Sequence, residues 1–176
     1  MKRFALALIF LVLGTGITIA EPSQVYCAVF SGSICFDIND DDNWTHKIVI
    51  DFSIDEIQFG KSAHITVYQG LGLSEQEDVG TTSTVKTYES PSGTVEIVVG
   101  SKTKPRYFDV HFKPKTGWGV VQVFGYVSDD TQAQALANFM VSIHPCTRDN
   151  LSVSCAADTP FLDAAKFVRV MLNELK

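Results

Sequence analysis

Three features are missing from this 176-residue sequence: a C-x-x-C pair, a G-x-S-x-G elbow and any second long apolar run. The first absence argues against a thiol oxidoreductase. The second argues against a serine hydrolase built on a nucleophile elbow. After residue 20 no apolar stretch is long enough to cross a bilayer as a helix. Histidines are few, and His46, His64, His111 and His144 fall in separate segments. His64 and His111 both sit on polar strand faces and meet only if their strands are neighbours; otherwise they read as surface histidines. Basic residues are outnumbered, 14 Lys and Arg against 20 Asp and Glu, for a net charge of −6. Such a surface repels phosphate backbones, so nucleic acid is not an expected partner.

What is present begins with a leader. Lys2 and Arg3 precede ten consecutive apolar residues, Phe4 to Leu13, and small residues close the segment at Ala20. This is the order of a secretory signal peptide over residues 1–20. Ten residues at about 1.5 Å each fall well short of a hydrocarbon core about 30 Å thick. The expectation is a secreted or periplasmic, non-spanning protein with one domain over residues 21–176. Without Lys2 and Arg3, that part keeps 12 basic and 20 acidic residues, a net charge of −8. With 45% of residues in the hydrophobic set, it can bury a substantial core.

Cys27, Cys35, Cys146 and Cys155 make an even set, which in an exported chain reads as two disulfides. Near-neighbour pairing, Cys27–Cys35 and Cys146–Cys155, suits Gly32 between the first pair and the turn-rich 145–150 stretch between the second. Crossed pairing, the alternative, ties the N-terminal strand to the C-terminal region. A zinc site on His144, Cys146 and Cys155 lacks a fourth ligand at standard spacing.

Alternation of apolar and polar residues predicts strands from about Val25 to Val127. His46–Ile54 reads as one strand with Ile48, Ile50, Phe52 and Ile54 on one face. Phe108, Val110 and Phe112 alternate with Tyr107, Asp109 and His111. Val120–Val127 is almost continuously apolar, as in a strand covered on both faces. Turn residues separate these runs. About eight antiparallel strands in a sandwich or barrel are expected. Two docked helices are expected to follow. One, over 131–140, is capped by Asp129 or Asp130 and buries Ala133, Leu136, Ala137 and Met140. The other, over 158–175, starts at Asp158-Thr159-Pro160.

Two clusters are candidate sites. Asp37, Asn39 and Asp41 stand at alternate positions in the acidic 37–43 run, like the first half of a calcium loop. The glycine of that loop is replaced by Asp42 and its twelfth-position glutamate by Ile48, which excludes an EF-hand. A looser calcium site between strand ends, or a solvated turn, remains. The second cluster is Lys102, Lys104, Lys113 and Lys115 with Trp118, a patch suited to an anionic glycan or lipid head group. Its plain alternative is a hairpin kept soluble by lysines, which also block edge pairing. Asn43-Trp44-Thr45 and Asn150-Leu151-Ser152 fit the glycosylation acceptor pattern.

Residues 48–127 resemble a CUB-type sandwich. The matching segments are Asp51-Phe52-Ser53-Ile54, Val67-Tyr68-Gln69-Gly70, and Phe108-Asp109-Val110-His111-Phe112 ahead of Val120–Val127. The resemblance implies a β-sandwich. Internal cysteine pairs and the acidic residue before the Tyr-x-Gly turn are missing, so it implies no calcium ligands and no partner. These features together predict an exported, non-catalytic binding protein for an anionic glycan, a lipid surface or a partner protein, with no cofactor beyond calcium. The alternatives are an exported hydrolase whose residues converge only in the fold, and a secreted inhibitor or effector of another protein. A deep polar cleft holding histidine and carboxylates favours the enzyme, and a shallow surface with exposed aromatics favours binding.

Overall fold

The computed structural model describes residues 27, 29–59, 63–72, 84–90, 93–100, 105–114, 119–148 and 153–155, together with 162, 169 and 173. Tight turns organise its N-terminal part. β1 (Val29–Ser31) and β2 (Ile34–Phe36) pair with Ser31 opposite Ile34, leaving Gly32-Ser33 as the turn. Gly32 has φ +57°, in the left-handed region that glycine adopts without steric cost. A Cβ there would lie 2.6 Å from Gln69 Oε1.

β3 (Asn43–Val49) and β4 (Phe52–Phe59) form a second hairpin, with Val49 opposite Phe52. The single strand expected over His46–Ile54 is therefore two strands, folded back at Ile50-Asp51. The apolar Ile50 hides this turn from a pattern search, because turns are usually recognised by Gly, Asn, Asp or Pro. The remaining elements are β5 (Ala63–Gly70), β6 (Thr84–Ser90), β7 (Gly93–Val99), β8 (Arg106–Pro114), β9 (Val120–Val127), α1 (Asp130–Val141), β10 (His144–Arg148) and β11 (Val153–Cys155). β10 and β11 form a hairpin where a turn-rich loop was expected.

All strand pairs are antiparallel and fall into two sheets. The larger runs β3-β4-β5-β9-β8-β7-β6 and the smaller runs β1-β2-β10-β11. Neither closes, so the barrel option is overturned: the larger sheet ends at β3 and β6. The antiparallel, β-rich expectation holds, with more strands than the eight foreseen.

Period-2 alternation assigns the faces of the larger sheet. Ile57, Ile65, Val67, Val95, Ile97, Phe108, Val110, Phe112, Val121 and Val123 point inward and are almost wholly buried. They form one apolar cluster with Val29, Ile34 and Phe36 of the smaller sheet and with α1. On α1, Ala133, Leu136, Ala137 and Met140 are buried as expected. The Asp129 carboxylate accepts from the Gln132 backbone N–H at 2.9 Å, and Gln132 Oε1 accepts from the Ser128 N–H at 2.8 Å. The first bond satisfies a donor that the helix start leaves unpaired, and the second ties the residue before the cap to the first turn. The second helix, expected over 158–175, lies outside the described residues apart from Leu162, which is buried in the core, and Arg169 and Asn173.

Candidate functional site

The β3–β4 register puts Trp44, His46 and Ile48 on the same face as Asp55 and Ile57. Asp55 is 0% exposed. It accepts from Ser31 Oγ at 2.6 Å and Trp44 Nε1 at 3.0 Å, and its Oδ1 lies 2.7 Å from His46 Nδ1. Gln69 Nε2 donates to Ser31 Oγ at 2.8 Å, while Gln69 Oε1 accepts from the Ser33 N–H at 3.0 Å. The network thus joins β1, β3, β4 and β5 through side chains. Burying a carboxylate demands this number of donors, because an unpaired buried charge is very costly. One consequence is a fixed aromatic pair: the Trp44 and His46 rings stack at 6.0 Å with 29° between their planes. Trp44 is held from below and remains partly exposed. Beyond it Ile48 is 76% exposed, and Ile50 is fully so.

A second histidine–carboxylate group occupies the opposite face of the same sheet. β7, β8 and β9 place Glu96, His111 and Gln122 side by side. His111 Nδ1 lies 3.2 Å from Glu96 Oε1, and its Nε2 lies 3.0 Å from Asp109 Oδ1. Gln122 Nε2 and Tyr107 Oη donate to Asp109 Oδ2 at 2.9 and 3.3 Å. Burial alone would lower the His111 pKa. Hydrogen bonding and charge from Asp109, followed by Glu96, outweigh it and raise the pKa. Burial, then the Asp109 charge, pushes the Tyr107 phenol far above its ordinary range. His111 is therefore a buried, doubly paired residue and not a surface histidine. It does not meet His64, because β9 separates β5 from β8.

Neither group has the order of a catalytic triad. Ser31 bonds to Asp55 and not to His46, and both ring nitrogens of His111 face carboxylates. Among the described residues, no hydroxyl nucleophile is hydrogen-bonded to either imidazole.

The residues singled out from sequence lie elsewhere. Lys113 is exposed on β8, opposite Thr94. Lys102, Lys104, Lys115 and Trp118 lie outside the described residues. In the β2–β3 connection, the Asp42 carboxylate accepts from both the backbone N–H and the Nδ2 of Asn39 at 2.9 Å. The Asp42 N–H returns a bond to the Asn39 carbonyl at 3.0 Å. The acidic turn is therefore closed on itself. Asp37 and Asn39 line a cavity against α1, whereas Asp41 is exposed and not part of its lining. Asn43 is exposed at the start of β3, and Asn150 lies outside the described residues.

The disulfides are Cys27–Cys35 and Cys146–Cys155, the near-neighbour pairing. Pairing of β10 with β2 sets them beside each other, with the sulfurs of Cys35, Cys146 and Cys155 within 4.8 Å. All four sulfurs are bonded, so none offers a thiolate to a metal or substrate. Sequence reasoning missed Asp55, whose signal was parity with Ile57 once the turn at Ile50-Asp51 is placed.

Among the described residues, no helix is long and apolar enough to cross a membrane. No protein-family model, curated protein or solved structure matches the chain, and the CUB resemblance finds no support among them.

Proposed function

We propose that the chain is an exported, non-catalytic binding protein that engages a partner protein along the edge strand β3. One observation carries this reading: β3 is a seven-residue edge strand presenting a fixed Trp44 beside the exposed Ile48. Among the described residues no strand pairs with its outer side. Exposed edges of this length are templates for an added strand, and soluble proteins commonly shield them. Here Lys47 is the only charged residue on β3, and it points away from the Trp44 face. Trp44 is already immobilised through Asp55, so docking loses little side-chain entropy there. Tryptophan is also enriched among residues that dominate interface energies. The inhibitor or effector alternative uses the same edge and differs only in what the partner does. Two disulfides support an oxidising compartment.

The test is a display library of extended peptides screened in parallel with heparin-like glycans and acidic vesicles. The expected result is peptide binding weakened at least tenfold, about 1.4 kcal/mol, by Ile48→Asp or Trp44→Ala. The variant Lys113→Glu is expected to bind peptide normally. Retention on heparin that falls with Lys113→Glu and ignores Ile48→Asp would move the binding surface to the lysine-rich hairpin and overturn the β3 reading.

A further inference from the structure

We propose that the partner received by β3 is a second copy of this chain, joined edge to edge about a two-fold axis through His46. The inference rests on the edge-strand reading and names the partner for that same surface. Two identical edges related by a two-fold axis normal to the sheet run antiparallel, and each surface must complement itself. β3 spans Asn43–Val49, and its residues from Asn43 to Ile48 are all exposed. Full overlap of two such strands leaves a single register. Asn43 then faces Val49 of the second copy, Trp44 faces Ile48, Thr45 faces Lys47, and His46 faces its own counterpart on the axis.

The side chains suit that register on both faces. Trp44 and Ile48 share one face, 38% and 76% exposed. The axis repeats their pairing, so two Trp44–Ile48 contacts form and each covers an exposed apolar group. An aromatic residue directly opposite a β-branched one is a favourable cross-strand pair. The indole is held by its N–H donating to Asp55 at 3.0 Å, so it meets Ile48 with its orientation already set. On the other face, Thr45 stands opposite Glu56 within the β3–β4 hairpin. Lys47 of the second copy joins this row beyond the short Thr45, which places a lysine and a glutamate on one face across the seam, twice over.

Charge favours this edge as the place where copies meet. Residues 21–176 carry 12 basic and 20 acidic residues, a net charge of −8, so two copies repel over most of their surfaces. β3 contains no acidic residue and one lysine. An unrelated extended peptide gains the same backbone bonds, but it matches Trp44, Ile48 and Lys47 only if its own sequence supplies the complement. A second copy supplies it by symmetry.

Sedimentation equilibrium on the protein recovered after export tests this, over roughly 1–1,000 μM because a single strand pair makes a small, weakly held interface. Salt of about 0.15 M screens the net charge. The expected result is a reversible monomer–dimer equilibrium. Ile48→Asp, at an exposed position, is expected to raise the dissociation constant by about tenfold or more without lowering the melting temperature of the monomer. Lys113→Glu is expected to leave it unchanged. The register is read from Thr45→Cys and Lys47→Cys, made as separate variants. Under diamide oxidation their mixture is expected to cross-link, and either variant alone much less. A protein that stays monomeric throughout, a dimer indifferent to Ile48→Asp, or equal cross-linking in mixed and single samples overturns the proposal. Monomeric protein whose peptide capture is weakened by Ile48→Asp removes the second copy and keeps the edge-strand reading. Loss of both dimer and peptide capture removes the two together.

Discussion

Asp55 and His111 show how one pair of residue types is put to different uses on the two faces of a sheet. Asp55 is enclosed and its carboxyl oxygens are bonded by Ser31 and Trp44, with His46 Nδ1 at 2.7 Å. Asp55→Ala removes the shared acceptor and leaves those donors around a small void. Of these groups only Ser31 is buried, and stranding a buried donor costs about 1–3 kcal/mol, so a loss of that size is expected in urea unfolding. The Trp44 emission should also shift as its indole loses its anchor. His111 makes a pH-dependent contribution. Its pKa is raised, so the folded state holds the proton more tightly than the unfolded chain. The resulting stabilisation is complete below the ordinary histidine value of about 6.5 and is lost as pH rises through the raised folded value. The stability gap between the parent protein and His111→Gln is therefore expected to narrow as pH rises from below about 6.5 into the alkaline range. Unfolding free energies at both ends of this range measure it, and a constant or widening gap contradicts the pairing.

Hairpins are the working elements of this protein, and the disulfides act at their scale. Cys146–Cys155 links β10 to β11 across 9 residues of sequence separation, and Cys27–Cys35 spans 8. β10 joins the smaller sheet through the pairs His144 with Cys35 and Pro145 with Ile34, and the Cys146 N–H donates to the Ser33 carbonyl at 2.7 Å. Loss of the cross-link in Cys146→Ser/Cys155→Ser is expected to cost about 2–3 kcal/mol, read from the shift in denaturation midpoint. Thiol labelling of the unreduced, denatured parent should find no reactive cysteine. The β2–β3 connection supports a different expectation. Asp42 is occupied by Asn39, so the turn needs no cation to close. Calcium is expected to leave the melting temperature unchanged. A rise of several degrees that disappears in Asp41→Ala would establish a metal site there.

At the scale of the whole molecule, the two sheets and α1 share a single apolar cluster, with Phe139 packed against both Phe36 and Phe59. A shared core couples the unfolding of its parts. Far-ultraviolet circular dichroism and tryptophan fluorescence should therefore report coincident transitions, and separate midpoints would show that the smaller sheet unfolds alone. Much of this architecture is local enough to be legible in the residues themselves. Alternation marks β8 and β9, Asp129 and the apolar spacing mark α1, and short loops favour the observed cysteine pairing. The β3–β4 hairpin was not legible, because an apolar Ile50 occupies its turn. The Asp55 network was not legible either. Its members come from residues 31, 44, 46, 55 and 69, and their meeting depends on β1 packing over β4 and β5. The sequence by itself determined strand character, the helix start and near-neighbour disulfides, since each depends on residues within a few positions of one another. Only the tertiary structure decided which polar residues turn inward and meet, because period-2 alternation specifies that two faces exist but leaves their direction to sheet order and packing.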